Sequence, residues 1–109
     1  NSKTILDLKK FKVIFEFSYF FISKATKVPL THVDGEKHRI QGTNENLLKK
    51  LITIAEPKNV ILSSDCGVSI LPKPHIGFFN FINQILNLGF SKKEIEYMIK
   101  FNSKKLFNL

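Results

Sequence analysis

Two runs of β-branched and aromatic residues set the limits on what this chain can fold into. Phe11 to Phe21 reads FKVIFEFSYFF, and Val60 to Ser63 reads VILS. Residues of these types suit a pleated, packed surface. In the first run Val13, Phe15, Phe17 and Tyr19 share one face, and Ile14, Glu16, Ser18 and Phe20 share the other. Both faces are mostly apolar, so this strand is expected to be covered on both sides, as strands of parallel sheets are. A helical pattern lies between the runs. Leu47, Leu48, Leu51, Ile52 and Ala55 form its stripe, Thr43 or Asn44 can cap it, and Pro57 ends it. A strand, a crossover helix and a second strand predict a βαβ unit with parallel strands and a right-handed connection.

The flanking segments extend this α/β reading. Asn1 to Lys10 carries Ile5 and Leu8 at helical spacing and reads as the end of a helix leading into the first strand. Ser23 to Gly42, SKATKVPLTHVDGEKHRIQG, is a long polar connection, and loops of that length are often functional. After the second strand comes a loop, Val68 to His75, with Pro72 and Pro74. A helix is then predicted over Ile76 to Leu88, burying Phe78, Phe79, Ile82, Ile85 and Leu86, with Gly89 just beyond its end. Ser91 and Glu94 form an S-x-x-E capping box for the next helix, striped by Ile95, Met98 and Ile99. A short last helix is predicted over Ser103 to Phe107.

Composition narrows the functional classes. The chain has 109 residues, 43% of them hydrophobic, enough for a core in one small domain. Its formal charge of +8 suggests a polyanion partner, but Arg39 is the only arginine and the lysines are scattered. Nucleic-acid readers concentrate charge on one face and use arginine forks, so a solvated lysine surface is expected instead. Cys66 is the single cysteine. It allows no internal disulfide and no cysteine metal cluster, which fits a reducing cytoplasm. The most apolar segment, Phe11 to Ile22, contains Lys12 and Glu16 and is too short to span a bilayer, so no membrane partner is expected.

The chemistry centres on Asn59 to Gly67, NVILSSDCG, where an apolar strand runs out into an acid. Asp65 is either a turn former that bonds nearby backbone amides, as aspartates often do, or a strand-end carboxylate that carries chemistry. Alternation puts Ile61, Ser63 and Asp65 on one face, with Cys66 directed the other way. Cys66 has no base near it in the sequence and reads as a small buried hydrophobe. Glu16 interrupts an apolar strand, and a buried charge would need a partner.

NVILSSDCG, followed by GFFNFINQILNLGFSKKEIEYMIKFNSKKLFNL, resembles the C-terminal part of the metal-dependent hydrolases of the amidohydrolase superfamily. The first stretch is similar to that superfamily's eighth barrel strand, which ends in an aspartate. The second is similar to the helices that close the chain in an Asn-Pro-Ala-x-x-Leu-Gly-Leu type ending. Asn102, Leu106 and Leu109 match that ending, whereas Ser103 replaces its proline and Asn108 its glycine. The resemblance implies that residues 1–109 are one partial domain, the last two strand-helix units of a (β/α)8 barrel, a fold of ~250 residues. The chain begins at Asn1, which fits a fragment.

The resemblance further implies metal-assisted hydrolysis of a small-molecule substrate. Asp65 would be metal ligand and general base, the metal a divalent ion of the zinc type, and the remainder of the barrel the principal partner. A metal lowers the pKa of its bound water to about 7, and a carboxylate can take the proton. His32, in the long loop after the first strand, would lie on the same face and contact substrate. His38 and His75, away from strand ends, have weaker claims. The alternative is a small basic, non-enzymatic module that binds an acidic partner through its lysines.

Overall fold

Residues 1–27 and 43–109 are described by a computed structural model. Helix α1 (Ser2–Lys9) starts at Asn1, whose side chain accepts a hydrogen bond from the Thr4 amide at 3.0 Å. The chain then turns through Lys12, whose φ of 55° lies in the left-handed region. Strand β1 covers only Phe15–Ser18. The longer strand expected over Phe11 to Phe21 is cut at both ends, by the turn at Lys12 and by a 3-10 turn over Tyr19–Ile22. Through that curl Phe20 becomes buried and Tyr19 half-buried, while Phe21 stays exposed. Tyr19 sets its ring 6.2 Å from that of Phe81, and Phe20 is buried.

Helix α2 (Glu45–Ala55) is capped by Asn44, which accepts from the Leu47 amide. It ends where expected, before Pro57, because the residue preceding a proline is pushed out of the α region. Glu56 adopts a φ of 69° there. A 3-10 turn, Pro57–Asn59, leads straight into strand β2 (Val60–Ser63). β1 and β2 pair in parallel, with Phe15 opposite Val60 and Ser18 opposite Ser63. The parallel pair with an intervening helix is therefore as the sequence reading had it.

Helix α3 (Pro74–Asn87) opens on a proline at its first turn, a position where the missing N–H costs nothing. Gly89 follows its end with a φ of 98°, a conformation open to glycine. The buried side is Gly77, Phe81 and Ile85, while Phe79, expected inside, is exposed. Helix α4 (Lys92–Glu96) carries the predicted capping box, with Ser91 and Glu94 each bonding the other's backbone amide. Nothing between Ser91 and Leu106 breaks a helix, so the two separate helices expected there join through a π turn, Tyr97–Phe101, into α5 (Asn102–Leu106).

The core gathers Ile5, Leu48, Ile52, Ala55, Val60, Leu62, Phe81, Ile85, Phe90, Ile95 and Met98, and Phe15 and Phe17 pack against it. The β1–β2 face bearing Phe15, Phe17, Val60 and Leu62 thus joins a core to which α1, α2, α3, α4 and the π turn contribute. The opposite face carries Glu16, Ser18, Ile61 and Ser63. Glu16 is exposed and its charge needs no partner.

These elements correct the barrel expectation. The described residues form a mainly helical unit, 62% helical, around one two-stranded parallel sheet, not two strand-helix units of a (β/α)8 barrel. The physical reason lies beside β2. A barrel strand needs a strand on each side, but β2 packs on the π turn and α5, and Asn102 Nδ2 donates to Val60 O at 2.6 Å and to Pro57 O at 2.7 Å. A buried side chain has taken an acceptor that a neighbouring strand would use.

Candidate functional site

The carboxyl ends of β1 and β2 lie together, and the first turn of α3 packs beside them. A Cβ on Gly77 would collide with Cys66 Sγ and stand 3.3 Å from Tyr19 Cδ1. Glycine is thus required at this crossing for the helix to approach both strand ends closely. In open α/β sheets ligands gather at the carboxyl ends of strands, outside the sheet.

Asp65 stands two residues past β2. Its φ of 47° places it in the left-handed region, which aspartate tolerates better than most residues. Its side chain is exposed, and it joins none of the three ion pairs among the described residues. The expected strand-like alternation through Ile61, Ser63 and Asp65 stops at Ser63, because the strand ends there and the backbone turns. Cys66 is 8% exposed and tucked against α3. Burial pushes its thiol pKa up, the Ser64 side chain opposes that and the Asp65 charge adds to it, while Cys66 Sγ donates to the backbone carbonyl of Ser64 at 3.4 Å. A thiol held neutral is a poor nucleophile and a poor metal ligand.

His75, exposed in the first turn of α3, has no built surroundings. His32, the candidate substrate contact, and His38 lie outside the described residues. Among the described residues no three His, Cys, Asp or Glu side chains converge as a metal site. Zinc takes three or four protein ligands. One exposed carboxylate beside a neutral, buried thiol does not fit such an ion.

Two clefts lie elsewhere. One of about 510 Å³ is bounded by Ser23, Thr43, Glu45 and Gln84. The other, about 570 Å³, runs between the Pro57 turn and α4 along Lys58, Lys93 and Tyr97. Asp65 lines neither.

Sequence reasoning missed three polar groups that the fold gathers. Ser18 and Ser63 are register partners at the strand ends, and both hydroxyls are buried without a partner among the described residues. Asn102, noted only for its place in the closing motif, is a buried structural group. Position in the register is the signal that finds the serines, since each is the last residue of its strand.

No helix among the described residues is long and apolar enough to cross a membrane. Comparison with protein families, with curated proteins and with solved structures finds no match to this chain.

Proposed function

We propose that this chain contributes Asp65 to a hydrolytic site, as the carboxylate that orients and deprotonates a water, with the remaining groups supplied from outside the described residues. The observation that supports this reading is the Asp65 carboxylate itself, exposed and outside every ion pair just past the carboxyl ends of a parallel strand pair. A residue chosen only to hold its turn by bonding backbone amides would be engaged there, and no such bond joins Asp65 to a described residue. The amidohydrolase-like motifs point to the same residue, to a small-molecule ester or amide substrate and to a divalent ion such as zinc. Because the described residues offer one carboxylate, the ion belongs to the proposal only through ligands elsewhere. The single reduced-type cysteine favours a cytoplasmic setting.

Titration of the chain with zinc and manganese, wild type against Asp65→Asn, tests the reading. Weak uptake that disappears in the variant supports it. Uptake unchanged by the substitution removes Asp65 from the site and the reading with it.

A second reading, a basic module for an acidic partner, is favoured by the surface of the C-terminal helical rod. Tyr97 and Phe101 place their rings 5.4 Å apart, and Lys100 Nζ lies 5.4 Å from the Phe101 ring centroid. Lys104 and Lys105 follow in the last turn. Aromatic faces beside lysines suit a partner that mixes carboxylates with apolar side chains. Binding of a Glu-rich peptide that weakens steeply with salt, and weakens further in Lys104→Ala/Lys105→Ala, is the expected result. Binding indifferent to both ends this reading.

A further inference from the structure

Helix α3 carries a surface unlike the rest of the chain. The formal charge is +8 and charged residues make up 24% of the sequence, yet residues 74–91 contain no Lys, Arg, Asp or Glu. Ile76, Phe79, Asn80, Asn83 and Asn87 are exposed and recur at helical spacing, so they form one stripe opposite the buried Gly77, Phe81 and Ile85. Phe79 keeps 65% of its surface and Ile76 44%. Phe11 and Phe107 are also strongly exposed, but they stand among lysines: Lys10 and Lys12 flank the first, and Lys104 and Lys105 precede the second.

An uncharged stripe of amide and apolar groups selects among occupants. Helices that lie on a membrane border their apolar side with Lys or Arg, and this stripe has neither. An acidic partner finds no cation along it. A second copy of the chain fits better. Two copies at +8 repel wherever their lysines face one another, so the uncharged stripe is the face where approach costs least. Most homodimers are two-fold, and groups near the axis then face their own counterparts. That arrangement penalises a charge but suits an amide, which is donor and acceptor in one side chain. Phe79, Asn80 and Asn83 occupy the middle of α3. Lys73 precedes the helix and Lys49 Nζ lies near Gly89 beyond its end, so cations mark the two tips. Helices that cross at about 50° meet at their middles and carry such tips apart.

We infer that two copies of this chain associate through α3, crossing at Phe79 to Asn83 about a two-fold axis. The Phe79 rings supply the apolar centre of the contact, and the amides of Asn80 and Asn83 bond across it. The stripe is far smaller than the ~20–30 residues a side of a standard interface, so the dimer is weak and reversible. Neither Asp65 nor the lysine surface takes part, so the contact is independent of both functional readings.

Sedimentation equilibrium of the whole chain, carried up to about 1 mM protein and repeated at rising sodium chloride, tests the contact. Dimerisation is expected, and it should strengthen with salt, because screening removes the repulsion between copies. A chain that stays monomeric throughout, or a dimer that salt dissociates, overturns the inference. Phe79→Lys and Asn83→Lys change exposed positions, and each should lower the association constant at least about tenfold. Phe107→Lys adds the same charge away from the stripe and should leave association essentially as in wild type. Association that survives both α3 variants, or that Phe107→Lys weakens as much as they do, places the contact elsewhere and overturns the inference.

Discussion

The two ends of the β1–β2 pair are built on opposite plans. At the amino end of β2, Asn102 reaches in from α5 and closes the carbonyls of Pro57 and Val60 with two short hydrogen bonds. At the carboxyl end two buried serine hydroxyls bond no described residue, and an exposed aspartate stands just beyond them. One end spends its polar groups on the protein itself. The other holds hydroxyls that bond no described residue, so stability should concentrate at the first end.

The largest expected effect is at the closed end. Asn102→Ala leaves two acceptors without their donor, one of them buried, and each such loss costs roughly 1–3 kcal/mol. The variant is expected to lose about 3 kcal/mol, read as a fall in the urea midpoint. A loss below about 0.5 kcal/mol would mean that this end is no more closed than the other.

Next comes the crossing of α3 over the strand ends. Gly77→Ala puts a methyl where Cys66 Sγ and Tyr19 already sit. Overpacking of this kind costs typically 1–3 kcal/mol. The double variant Gly77→Ala/Cys66→Ala should recover part of the loss, because the thiol is the nearer obstacle. No recovery would place the strain in the Tyr19 side instead.

A smaller, pH-dependent effect belongs to the α4 cap. The Ser91 backbone amide, then its side chain, hold the Glu94 carboxyl below its ordinary value of 4.5. A lowered folded-state pKa means stability that is complete above the ordinary value and is lost as pH falls through the lowered one. Unfolding midpoints measured downward from pH 5 should therefore drop, and Glu94→Gln should flatten part of that drop while keeping the reach back to Ser91. Glu56, lowered first by Lys58 and then by Lys9, acts in the same direction, but it lies at the surface and added salt removes its share. Ser91→Ala should cost about 1 kcal/mol at neutral pH. An acid profile identical in wild type and Glu94→Gln would break the assignment.

What the sequence made legible follows from range. Caps and stops are local: Asn44, the Pro57 boundary, Gly89 and the Ser91–Glu94 box act within a turn, and each is found where its pattern put it. The parallel pairing was also legible, because a strand, a helix and a strand permit few connections. The surroundings of the sheet were not. Whether β2 meets another strand or a helix depends on Asn102, forty-two residues away from Val60, and a single asparagine in a helix announces no such contact. Phe79 and Phe81 show the same limit within one helix. Both are apolar at neighbouring positions, and only tertiary packing decides that Phe81 is fully buried while Phe79 is 65% exposed. At the candidate site, the aspartate was readable from the strand that leads to it. The serine pair was not, since it exists only through the register of two distant segments.

The smallest stability effect is expected at Asp65, and it separates the two roles this residue can have. Its backbone occupies the left-handed region at φ 47°. Asparagine enters that region at least as readily as aspartate, and glycine pays no steric penalty there, whereas alanine does. Asp65→Asn and Asp65→Gly should therefore stay within about 0.5 kcal/mol of wild type, and Asp65→Ala should lose about 1 kcal/mol. That order tests the turn alone, since it ignores the carboxylate. Metal uptake or hydrolysis ignores the turn, and should fall in Asn, Gly and Ala variants alike. If function instead followed the stability order, with Asn and Gly retaining it, the carboxylate would have no chemical part. The open end of the sheet would then owe its aspartate to backbone geometry, and the contrast between the two ends would rest on the serine pair.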